Sequence, residues 1–181
     1  ILFKVFDVVN TNAPNALTNT NAWYYSWMKY FDYSKIAYSG KMTRHGCGFY
    51  PGNSLTTNWG VMNAAFGIAR IQFESENPFW CSEFTTHNAV PNSIRKSAYA
   101  TLMYGNQMVC GWTWQSMWGG EEQYLEGMVD WDGVPNRKYD EYKQIATEFK
   151  KIEKYFPYKP KAEVGLAFSF PSQIASGSFP V

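Results

Sequence analysis

The chain has 181 residues, with 16 Lys and Arg against 15 Asp and Glu and a formal net charge of +1, which argues against nucleic acid or an anionic membrane as its main partner. Its length suits one domain of ordinary size with a sizeable core, and no apolar run approaches the roughly 18 residues that a membrane span needs. Aromatic residues are the outlier, 8 Trp, 13 Tyr and 13 Phe; most are expected in the core, while some suit a sugar site, because pyranose faces lie flat on indole and phenol rings.

In chain order, residues 2–9 are rich in β-branched and aromatic side chains and predict a mostly buried strand. Asn10 and Asn12 at its end either hydrogen-bond a ligand or satisfy the loop that follows. Asn21 is placed to cap a helix over 22–31, with Trp23, Trp27 and Phe31 on one face. Gly46-Cys47-Gly48-Phe49-Tyr50-Pro51 reads as a short strand ending in a turn. Asn58 caps a helix over 59–73, striped by Met62, Ala65, Phe66 and Ala69. The stretch Asn77-Pro78-Phe79-Trp80-Cys81-Ser82-Glu83 reads as a buried strand that opens with proline and ends on a carboxylate. Glu74 and Glu76 lie at its other end and are discounted as catalytic partners. By alternation Cys81 and Glu83 share a face of this strand, directed into a barrel interior.

Ser93 caps a helix over 94–104 that carries Ile94, Ala98 and Leu102 one turn apart, with Gly105 as its stop. Residues 108–114 predict the next strand, with Cys110, Trp112 and Trp114 on one face. A long loop containing Trp118 and Glu122 follows. The last helix, 138–156, has a stripe of Tyr142, Ile145, Phe149 and Ile152, and Pro157 and Pro160 end it. Residues 163–170 begin a new strand. The three cysteines, Cys47, Cys81 and Cys110, show no C-x-x-C spacing. All fall in or beside apolar strand-like segments, so free, at least partly buried thiols are expected rather than a disulfide framework or a zinc site, and the compartment stays open.

The order of strands and helices means βα units with parallel strands. Four units of about 40 residues make half of a (β/α)8 barrel, in which catalytic groups sit at the C-terminal ends of strands. Glu83 and Trp114 then face one rim. A carboxylate nucleophile beside an aromatic platform suits glycoside cleavage, with a second carboxyl protonating the leaving oxygen.

At these residues the chain resembles a known family. Pro78-Phe79-Trp80-Cys81-Ser82-Glu83 is similar to the nucleophile strand of clan A retaining glycosidases. Trp112-Thr113-Trp114-Gln115-Ser116, Trp118-Gly119-Gly120-Glu121-Glu122 and Gly127-Met128-Val129-Asp130 resemble the last barrel strand and loop of the family 42 β-galactosidases. The resemblance implies an α/β fold in which residues 1–156 are the C-terminal half of a TIM barrel, strands 5–8. Residues 157–181 would be the linker and first strand of a flavodoxin-like second domain, which that family uses to form trimers. It implies Glu83 as nucleophile, Trp114 as sugar platform with Trp118 at the rim of the site, Glu122 on sugar hydroxyls, and Tyr50 hydrogen-bonded to the nucleophile. The substrate would be an oligosaccharide or β-galactoside, with no metal or cofactor, and the full-length protein a homotrimer.

The sequence departs from the family at sugar-contacting positions, with Gln115 in place of an Arg, Leu125 or Glu126 in place of a His, and Phe84 in place of a Gln. These bear on galactose as the sugar and not on glycoside cleavage. The family's acid/base Glu follows an Asn, and no Asn-Glu pair occurs in this sequence. The chain is therefore expected to be a fragment of a longer enzyme, or half of an assembly of two pieces. The alternative function is a binding module whose aromatic rim holds carbohydrate without cleaving it.

Overall fold

A computed structural model describes residues 1–22, 33–50, 79–123 and 125–156, together with residues 161, 163–165, 167, 169, 171, 172 and 175. The expected helices over 22–31 and 59–73 lie essentially outside these residues. The described elements are α1 (Leu2–Asn12), β1 (Asn21–Ala22), α2 (Tyr33–Tyr38), β2 (His45–Phe49), β3 (Phe79–Thr85), α3 (Ser93–Met103), β4 (Asn106–Trp112), α4 (Arg137–Ile152) and a 3-10 turn (Glu153–Tyr155). The strands form one sheet in the order β1-β2-β3-β4, and every neighbouring pair is parallel.

Two expectations about the beginning of the chain are corrected. Residues 2–9 form no strand; they belong to α1. Their apolar residues fit a 3.6-residue period as well as alternation, and Leu2 and Phe6, one turn apart, pack against Ile36 and Met42. Local bonds favour the helix, because the side chains of Thr11 and Asn12 donate to the carbonyls of Asp7 and Val8, 2.8 Å in each case. Asn21 is the first residue of β1 rather than a helix cap.

One face of the sheet is the core. Cys47 and Phe49 from β2, and Phe79, Cys81 and Phe84 from β3, pack with Ile94 and Ala98 of α3 and Ile145 of α4. Phe49 stacks on Phe84 with ring centroids 5.5 Å apart. Both helices follow the sequence closely. Gly105, at φ +89°, ends α3 and donates to the Leu102 carbonyl, 2.9 Å. Asn136 caps α4 by accepting from the Lys138 N–H, 2.9 Å. Asn106 is fully buried and stitches the start of β4 to β3, accepting from the Cys81 N–H at 2.9 Å and donating to Thr101 Oγ1 at 3.1 Å.

The alternation in β3 does not run through. Cys47 pairs with Cys81, but the next residue, Gly48, pairs with Glu83, and from Cys81 to Phe84 the same strand gains one residue on β4. The extra residue is a bulge at Ser82–Glu83. It puts Phe84 on the buried face where Glu83 would have been. Cys81 therefore packs in the layer between sheet and helices, and does not share the face of Glu83 as alternation suggests. All three thiols are free, but Cys110 is exposed, against expectation. Its face of β4, shared with Trp112, has no helix over it among the described residues.

At the end of the chain, the described residues of the expected strand 163–170 are exposed and form no strand. No helix among the described residues is long and apolar enough to cross a membrane.

Candidate active site

The bulge turns Ser82 and Glu83 to the same side, where both meet Asn21 at the start of the site. Asn21 Nδ2 donates to Glu83 Oε2, and Ser82 Oγ donates to Asn21 Oδ1 at 3.1 Å. Tyr50, the residue after β2, donates its hydroxyl to Glu83 Oε1 at 2.6 Å. Both carboxylate oxygens of Glu83 are thus held, one from the end of the adjacent strand β2 and the other from β1 beyond it. Gly46 makes this approach possible, because any side chain there would overlap the Thr20 carbonyl and the Ser82 hydroxyl.

Burial raises the Tyr50 hydroxyl far above its ordinary pKa, and the hydrogen bond to Glu83 and the Glu83 charge add to that, so the phenol is a donor at every working pH. His87 lies four residues beyond Glu83, its ring 5.3 Å from that of Tyr50. Its Nδ1 is buried with no hydrogen-bond partner. Burial lowers the His87 pKa, the charge of Lys138 lowers it further, and Glu122, Glu126 and Glu83 oppose the shift. The imidazole is accordingly held neutral.

Tyr142 of α4 crosses over β4 at Gly111, where a side chain would overlap its ring. Its hydroxyl donates to the Thr85 carbonyl at 3.0 Å and lies 3.2 Å from Thr86 Oγ1, tying the end of β3 to the helix layer.

Beyond β4, whose last residue is joined to Thr113 by a cis peptide bond, the chain folds back on itself. The Val129 N–H donates to the Trp114 carbonyl at 2.8 Å and the Ser116 N–H to the Val129 carbonyl at 2.9 Å. Trp114 leaves this loop 60% exposed, edge-on to Tyr139 at 5.9 Å. Trp118 is 78% exposed, beside the Met117 carbonyl that accepts from Trp131 Nε1 at 2.7 Å. Glu122 is exposed, and its charge acts on both Tyr50 and His87.

Of the residues singled out from sequence, Glu83 and Tyr50 come together, and the charge of Glu122 acts on Tyr50. Trp114 and Trp118 stand on the loop after the adjacent strand. Asn10 does not join them: it sits in α1 and donates to the Lys41 carbonyl at 3.0 Å, and the strand end that placed it at the rim does not exist. Asn21 takes that place. Asn21, Ser82 and His87 were missed. Ser82 and His87 flank Glu83 in the same polar stretch, but only the bulge and the turn bring them to it. No group of three or more His, Cys, Asp or Glu among the described residues is arranged to hold a metal ion.

Known proteins resemble this chain in sequence and in fold. The β-galactosidase BgaA of Clostridium cellulovorans is 20% identical, over 90% of this chain and 26% of its own length. A catalytic mutant of Gan42B, a GH42 β-galactosidase from G. stearothermophilus, superposes with a TM-score of 0.81 at 18% identity, over 96% of this chain and 28% of that one. The cold-adapted β-galactosidase from Rahnella sp. R3 superposes with a TM-score of 0.83 at 17% identity, over 96% and 27%. The parallel sheet with its helices thus has the fold of these TIM-barrel enzymes, and the chain spans about a quarter of their length. The profile of the glycoside hydrolase 42 family, described as β-galactosidase, matches residues 5–152, and with that match over most of its length the chain belongs to this family.

Proposed function

We propose that this chain supplies the nucleophile half of the active site of a retaining exo-β-glycosidase that removes terminal β-linked galactose-like sugars. The observation that carries the reading is Glu83, a carboxylate at the C-terminal end of a parallel strand with a donor on each oxygen. Such a group is oriented for in-line attack and cannot swing away when substrate binds. Glu83 attacks the anomeric carbon and a covalent glycosyl intermediate forms as the leaving oxygen takes a proton. The intermediate is then hydrolysed by water. Trp114 offers its exposed face to the sugar ring and Glu122 accepts from sugar hydroxyls, with Trp118 at the edge of the site.

The proton donor belongs to residues outside this chain, since no Asn-Glu pair is present. In the complete site it lies roughly 5–5.5 Å from Glu83, the separation that retention requires. On this reading residues 1–156 are strands 5–8 of the barrel, and residues 157–181 are the linker and beginning of a flavodoxin-like domain of a trimeric protein.

The test is Glu83→Gly in the full-length protein. Turnover of a nitrophenyl β-galactoside should vanish with the fold intact, and added azide should restore it, yielding the glycosyl azide of inverted configuration. Activity that survives the substitution would remove Glu83 from the role. Binding of galactosides without any hydrolysis by the full-length protein would favour a carbohydrate-binding module instead.

A further inference from the structure

The first turn of α4 carries two consecutive cations, Arg137 and Lys138, at the end of a helix where the macrodipole disfavours positive charge. Lys138 is also buried, 6% exposed, which a lysine accepts only with a partner. Arg137 has a partner within the helix, its Nη1 donating to Glu141 Oε2 at 2.9 Å, whereas Lys138 has its partner outside it. Both reach out of it, to the two loops that flank the candidate site.

Lys138 Nζ donates to Glu126 Oε2, and the pairing holds the Glu126 carboxyl below its ordinary pKa. Arg137 Nη2 donates to the Ala89 carbonyl. Asn88 and Ala89 belong to the turn that follows Glu83 and His87. Glu126 closes the loop that carries Glu122, to which it is coupled by a turn in which the Leu125 N–H donates to the Glu122 carbonyl at 2.9 Å. The loop after β3 and the loop after β4 are therefore both tied to the first turn of α4, the one through Arg137 and the other through Lys138 and Glu126.

As a source of stability the pair is poor, because Lys138 loses its water while Glu126 stays half exposed. Its geometric effect is large, because it ties the loop bearing Glu122 to the helix turn that also holds the rim bearing Glu83. We propose that Glu126 and Lys138 form a latch that holds Glu122 at the height of the sugar above Glu83, and so act as positioning residues for substrate binding. This inference rests on the glycosidase reading for its kinetic consequence, but not for its structural one. The latch also holds a positive charge close to His87, in line with the lowered pKa of that imidazole.

The experiment has two readouts on the full-length protein. In steady-state kinetics on a nitrophenyl β-galactoside, Glu126→Gln and Lys138→Met should each raise KM roughly tenfold and leave kcat within about twofold, since they disturb sugar binding and not the attack. Lys138→Arg should recover most of the loss. Added to Glu122→Gln, neither substitution should raise KM further, because the latch acts only through Glu122. In hydrogen exchange, amides of residues 117–126 should exchange faster in Glu126→Gln than in the unsubstituted protein. Unchanged KM in both single variants, full additivity with Glu122→Gln, or unchanged exchange of the loop would overturn the latch. If Lys138→Met does not fold, Glu126→Gln decides the matter alone, as its side chain is half exposed. If the unsubstituted protein fails to act on the galactoside, the proposed function falls, and loop exchange still judges the latch.

Discussion

At the scale of single residues, Glu83 is defined by what addresses it. Tyr50 and Asn21 each donate to one carboxylate oxygen. Removing a preorganised donor from a reacting carboxylate costs catalysis more than binding. Tyr50→Phe in the full-length protein should therefore lower kcat by roughly ten- to a hundredfold with little change in KM, read by initial rates at saturating substrate. Trp114 plays the opposite part. As the proposed platform it would offer ring face to the sugar in ground and transition states alike, so Trp114→Ala should raise KM, roughly tenfold, and leave kcat nearly unchanged. An unaltered KM would count against the platform. The thiols give a simpler check. In the isolated chain, Cys110 should react with a chromogenic disulfide in the native state while Cys47 and Cys81 wait for unfolding. Burial also raises the pKa of Cys47 well above its ordinary value, which withholds the reactive thiolate.

Among the elements, α3 and α4 are joined by Glu148, which accepts from Arg95 Nε at 2.9 Å, Gln144 at 2.8 Å and the Tyr99 hydroxyl at 2.9 Å. Arg95 first, and then Gln144, pull its carboxyl down from an ordinary 4.5 to about 2. Between those values the unfolded chain binds the proton and the folded chain does not, so stability rises with pH through that window. Glu148→Gln should therefore melt below the unsubstituted chain at pH 7. The gap should narrow as pH falls from 4.5 towards 2, measured by thermal melts across that range. These helices were legible from sequence because their stripes are long and periodic and Gly105 stops α3; the Asn136 cap of α4 was not singled out. Strands β2, β3 and β4 were legible within a few residues for the same kind of reason. The segment 2–9 was not, since eight apolar-rich residues satisfy both periods and only packing on Ile36 and Met42 decides between them. In the site, Glu83 and Tyr50 were legible as a motif. Asn21 was not, because nothing local distinguishes a cap from a two-residue strand. Lys138 stood in the sequence only as the first residue of the last helix, with nothing local to mark its burial.

At the scale of the whole molecule, the described residues cover one face of the sheet, and the other carries Glu83, Cys110 and Trp112, with Trp114 and Trp118 exposed just beyond β4. If the rest of a barrel supplies both the missing cover and the proton donor, the 181-residue chain alone should not hydrolyse a nitrophenyl β-galactoside, and the full-length protein should. Hydrolysis by the isolated chain would place the donor within it, with Glu121, Glu122 and Glu126 as the candidates.

The extra residue in β3 separates two kinds of freedom. Phe79, Cys81 and Phe84 answer to the helix layer, while Ser82 and Glu83 answer to the opposite face. A volume change at Cys81 is thus absorbed by Ile94, Ala98 and Ile145 instead of being passed to the carboxylate. The interior of such a chain can drift, or be redesigned, while its chemistry stays in place. Cys81→Ala should accordingly lower the melting temperature and leave kcat/KM of the full-length protein within about twofold, whereas deleting Ser82 would swing Glu83 into the packed layer and end activity.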